Sequence, residues 1–137
     1  MDSLYREISA SMSAELLPIA VAPFPEGNWR TRLGELTERR ARVFEKMMPF
    51  KIAADVHRHR SDFLQAEHDE MTRFQRDTLC TALGPRHCRD VIRLETLDLL
   101  MSFDAWRRMR HDQKLSVAQC KKLLTLAIAA LFENEDE

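Results

Sequence analysis

Apolar residues recur along this chain at three- and four-residue spacing, and no stretch bounded by turn residues alternates with the period of two expected of a half-buried strand. The pattern predicts an all-α protein of about six helices. Only three glycines and five prolines punctuate it, in clusters, which suits long helices with short joints. The first helix opens at Asp2 or Ser3, either able to cap free N–H groups, and carries Leu4, Ile8, Met12 and Leu16 until Pro18 stops it. PIAVAPFPEGN follows as a joint. A second helix starts at Asn28 and places Trp29, Leu33, Leu36, Val43 and Met47 along one stripe, with Arg40 in its middle. Pro49 is expected to break or kink that line, and a short third helix continues through Ile52, Ala53 and Val56 to the basic HRHR at 57–60.

Ser61 caps a fourth helix whose face holds Leu64, His68, Met71, Phe74, Thr78, Leu79 and Ala82, and GPRHC at 84–88 ends it. The fifth runs from about Arg89 to Arg110 with Val91, Leu94, Leu97, Leu99, Leu100, Met101, Phe103, Trp106 and Met109. Ser116, with Gln119 three residues on, is a capping box for the last helix, which reaches Phe132. ENEDE reads as a frayed acidic tail.

The last two helices are too apolar for surface helices with one buried stripe: from Leu123 to Phe132 only Thr125 is polar. Two helices at the end of so short a chain cannot both be central. A second copy could cover them, setting two helices from each subunit into a four-helix bundle about a two-fold axis, with Leu94, Trp106, Leu123, Ala127 and Leu131 as interface positions. The alternative is an ordinary intramolecular core.

With 137 residues, 45% of them apolar and 31% charged, the composition is that of one globular domain able to bury a core without staples. Its 21 basic and 22 acidic residues leave a net charge of −1, so nothing global draws it to nucleic acid or an anionic membrane. The longest apolar run, Leu126 to Phe132, is far too short to span a bilayer, and MDSLYREI has no secretory apolar region. Cys80, Cys88 and Cys120 form no C-x-x-C pair and read as reduced thiols in the cytoplasm rather than as a disulfide framework or zinc site.

Phosphate loops, nucleophile elbows, zincin motifs and paired Glu-x-x-His are missing, so no catalytic residue, metal or cofactor is expected. His87 beside Cys88 reads as loop chemistry. Three polar residues do stand on apolar faces: Arg40, His68 and Asp98. Burying an unpaired charge is costly, so each needs a partner or a cavity. One reading is structural, an Arg40–Asp98 salt bridge and a satisfied core histidine. The other is a ligand pocket between helices, walled by Phe44, Met47, Met71, Phe74 and Met101 and oriented by these three polar groups.

LETLDLLMSFDAWRRMRHDQKLSVAQCKKLLTLAIAALF resembles the end of the effector-binding domain of TetR-type bacterial transcriptional regulators. In that family a penultimate helix with a serine-phenylalanine and a tryptophan near its end is often followed by an arginine, a D-Q turn and a final apolar helix. The matching positions are Ser102, Phe103, Trp106, Arg110, Asp112 and Gln113. DSLYREISASM is similar to the helix that follows the DNA-binding motif of these regulators, and RTRLGELTERRARVFEKMMPFKIAADVHRHRSDFLQAEHDEM resembles their central helices.

The resemblance implies that residues 1–137 are one effector-binding and dimerisation domain, a homodimer through its last two helices, that takes a small-molecule effector. It implies a regulator, a repressor by family habit, whose operator DNA is held only through an N-terminal helix-turn-helix domain. None precedes Met1, so the expectation is either a fragment or a natural chain that has lost it. No membrane partner is implied. The rival expectation is a stand-alone helical adaptor whose last helices dock a different protein.

Overall fold

The computed structural model describes residues 2–134, and among them every regular element is helical. Helix α1 spans Asp2–Ala20 and passes through Pro18, which was expected to end it. Helix α2 spans Trp29–His57, its start capped by the Asn28 side chain accepting from the Thr31 N–H at 3.1 Å. It too runs straight through its proline, Pro49, so the expected second and third helices are one. Proline removes a single backbone donor. Contacts to α1 and α3 flank that gap, Lys46 with Glu15 and Arg40 with Gln75 before it, Phe50 with Tyr5 and Lys51 with His68 after it.

A short 3₁₀ turn, Arg58–Arg60, leads to α3, Asp62–Leu83, capped by Ser61 as expected. Gly84 then reverses the chain with φ 83°, in the left-handed region where a Cβ is costly, and Pro85 starts the single-turn α4, Pro85–Cys88. This reversal brings Cys88 back beside Cys80, Cα to Cα 5.2 Å, and the two form a disulfide. The expectation of three free thiols is thereby corrected: among the cysteines only Cys120, buried, is free. The pairing has no short sequence signature because the glycine turn, not a fixed motif, makes it.

The expected long penultimate helix is divided. Helix α5 spans Val91–Leu100 and stops at Met101; Ser102, with ψ 162°, then caps a new helix α6, Phe103–Arg107, by accepting from the Ala105 N–H at 3.1 Å. Helix α6 widens into a π-helical turn over Arg108–Asp112. Helix α7, Val117–Leu131, has the expected capping box of Ser116 and Gln119. Glu133 and Asn134 form a turn; the rest of the acidic tail, 135–137, lies outside the described residues.

Helix α2 is the axis of the fold, packed against α1, α3, α6 and α7. At its N-terminal half Trp29, Leu33 and Leu36 meet Leu79 and Leu83 of α3, Leu94 and Leu97 of α5, and Phe132. At its middle Ala41, Phe44 and Met48 meet Phe103, Trp106, Met109 and, on α7, Cys120 and Leu124. Arg39 anchors the α1–α2 joint by donating to the carbonyls of Ala22 and Pro23.

Candidate functional site

Helices α1, α2 and α3 do not close completely. Between them is a cavity of about 290 Å³, near the lower end of the range for small-molecule sites. Met12 and Leu16 of α1, Val43 and Met47 of α2, and Met71 and Phe74 of α3 supply apolar wall. A narrower space of about 80 Å³ shares Val43, Met47, Met71 and Phe74 and reaches Phe44 and Arg40 deeper between α2 and α3.

One end of the cavity is polar, because α2 continues past Pro49. The face that carries Met47 places Lys51 and Asp55 at successive four-residue steps, both lining the cavity with His68 of α3. The Lys51 Nζ donates to Asp55 Oδ1 at 2.8 Å and to His68 Nδ1 at 2.9 Å. An Arg58 N–H reaches the same Nδ1 at 2.6 Å. Burial pushes the His68 imidazole below its ordinary value, and the Lys51 and Arg58 charges push it the same way. It is therefore neutral at pH 7, with Nδ1 as acceptor and the proton on Nε2. Asp55 also faces Arg58 at 3.5 Å and Arg107 at 3.9 Å.

Arg40 is 7% exposed, and the salt bridge to Asp98 expected on the structural reading is replaced by other partners. It donates instead to the carbonyl of Met101 at 3.0 Å, the carbonyl of Gln75 at 2.5 Å and the hydroxyl of Thr78 at 3.1 Å, tying α2 to α3 and to the end of α5. Burial lowers its pKa to about 10, Asp98 pulling the other way, so the guanidinium stays charged at neutral pH. Asp98 pairs with Arg76 at 3.3 Å and lines an outer groove between α3 and α5.

The expected ligand set thus divides. Met47, His68, Met71 and Phe74 share the main cavity, while Arg40 and Phe44 line its narrow extension. Asp98 faces the outer groove, and Met101 is core, 2% exposed. Lys51, Asp55 and Arg58 were missed. The signal for Lys51 and Asp55 is the continuing register of α2, which a break at Pro49 hides; Arg58 follows in the 3₁₀ turn.

The expected interface set divides as well. Leu94 and Trp106 are covered within the chain, at 7% and 2% exposure. The break at Ser102 turns the Trp106 ring onto Phe44, and its indole N–H donates to Glu45 Oε2 at 2.8 Å. Arg110 grips the same carboxylate with two N–H groups, at 3.0 and 2.9 Å, and holds it below the usual carboxylate range. Leu123 is exposed, Ala127 and Leu131 half-buried. The largest uncovered aliphatic side chains near them are Ile92 and Leu99 on α5, at 77% and 70%, and Leu126 on α7, at 62%.

Among the described residues no three His, Cys, Asp or Glu side chains converge as a metal site would need, and no helix is long and apolar enough to cross a membrane. Compared with family models, curated proteins and solved structures, the chain matches none.

Proposed function

We propose that this chain is a ligand-sensing, dimerising regulatory domain of the TetR type, one part of a repressor that holds its operator through a helix-turn-helix segment outside this chain. The observation that carries the reading is the open cavity between α1, α2 and α3, apolar over most of its wall and polar at one end, which is the make-up of a small-molecule site. The dimer reading is supported by Ile92 and Leu99, seven residues apart on one face of α5, and by Leu123, Leu126 and Ala130 on one face of neighbouring α7. A second copy related by a two-fold axis would cover both rows in a four-helix bundle. Separation of the two features suits a sensor, since helix α3 touches the cavity on one side and α5 on the other. Residence in the cytoplasm belongs to the same proposal; there the Cys80–Cys88 pair would be exposed to reductants.

Native mass spectrometry of the purified chain tests the reading. The expected result is a species near twice 16.0 kDa, with added mass if an effector is carried. A monomer at micromolar concentration would remove the two-fold bundle and leave the α5 and α7 face to a different protein, as in a helical adaptor.

A further inference from the structure

The polar end of the cavity has more donors than acceptors. An ammonium carries three N–H groups, and Lys51 uses two of them, on Asp55 and on the neutral His68. Its side chain is only 9% exposed, so the third is left at a nearly dry cavity wall. His68 takes one of those bonds without bringing a negative charge, and Arg58 fills the same ring nitrogen. Around Asp55 stand Lys51, Arg58 and Arg107, at 2.8, 3.5 and 3.9 Å. Even with the exposed Asp104, whose field reaches His68, three cations meet two carboxylates. The remaining acids of the cavity belong to the α3 face toward α1: Glu67 accepts from the Ser9 hydroxyl at 2.8 Å, and Glu70 is exposed at the rim.

We propose that the cavity takes a linear aliphatic carboxylate, its head group accepting from Lys51 at the surplus donor and its tail lying among Met12, Met47, Met71 and Phe74. This names the effector class for the ligand-sensing reading above and rests on it. Charge-assisted hydrogen bonds in a low-dielectric site are the strong ones, which makes the head group decisive. Unbranched methionine side chains adapt to a flexible chain, which makes the tail a matter of length.

The test is calorimetric titration of the full chain at pH 7.5 with decanoate, decanol and decyltrimethylammonium. Decanoate should bind one per chain and at least tenfold more tightly than decanol, as a hydrogen bond to a charged group requires. Affinity should rise about fourfold per methylene from octanoate to decanoate. Lys51→Met should abolish the preference for decanoate, bringing its affinity to within about twofold of that for decanol. Equal binding of acid and alcohol by the unaltered chain, preference for the ammonium amphiphile, or no binding of decanoate would overturn the proposal, whatever the stability of the variant. The mass measurement separates the two readings. A decanoate-selective monomer keeps the site and removes the regulatory dimer; a dimer indifferent to the head group keeps the dimer and removes the site.

Discussion

Trp106 sits in a stretch with five charged residues between positions 104 and 112, yet it is one of the most deeply buried side chains, because its one polar atom is matched. Glu45 accepts from the indole and from Arg110 together, so a single carboxylate on α2 holds α6 and the π-helical turn after it. Glu45→Ala leaves the buried indole N–H unmatched and should cost about 1–3 kcal/mol, read by denaturant unfolding at pH 7. The interaction also sets a pH dependence. The Glu45 pKa is depressed in the folded chain, so its stabilisation is fully present above the unfolded value of about 4.3 and is lost as pH falls through the folded value. The stability gap between the native chain and Glu45→Ala should therefore close below about pH 4; a constant gap to pH 3 would show that the carboxylate charge is immaterial. The sequence marked Trp106 as needing a partner, but Glu45 is 61 positions away and carries no local sign of the role.

Local signals located the helix starts well and the helix ends less well. Ser61 and Ser116 cap where a capping residue is expected, and Asn28 caps the helix expected to start there, since a cap is a contact over three residues and is written in adjacent sequence. Pro18 and Pro49 both lie inside helices, and at Pro49 the helix is held on either side by residues of α1 and α3 far away in sequence. Ser102 misled in the opposite sense: its capping position lay inside a run whose apolar spacing read as one helix. The Cys80–Cys88 bond is the clearest element-scale consequence of Gly84. It closes a loop of eight residues between α3 and α4, and on the chain-entropy account contributes about 2.5 kcal/mol. Reduction with dithiothreitol should lower the melting temperature by roughly 9 °C for a chain of this length. A Cys80→Ser/Cys88→Ser variant should melt at the reduced value and ignore the reductant. If the native chain also ignores it, the bond contributes nothing to stability.

At the scale of the whole molecule, the excess of apolar residues in the last two helices has two destinations. Leu94, Leu97, Cys120 and Leu124 go inward, whereas Ile92, Leu99 and Leu126 remain at the surface. In the proposed dimer the second group lies against its partner. Leu99→Asp with Leu126→Asp should then give a species near 16.0 kDa in native mass spectrometry, with the helical signal of the chain retained, since both side chains stand in solvent within one subunit. A variant that stays at its native mass would place any self-association elsewhere. The sequence by itself determined the helical class, most capping sites and the amphipathic faces, because periodicity and capping act within a few residues. Only the tertiary structure decided that Trp106 turns inward, that Arg40 spends its charge on carbonyls rather than on Asp98, that Cys80 meets Cys88, and that Lys51, Asp55 and His68 share one end of a cavity with Arg58 behind them. Each of those depends on the register of helices brought together from distant parts of the chain, and on whether a proline or a serine interrupts them, which packing settles and local pattern does not.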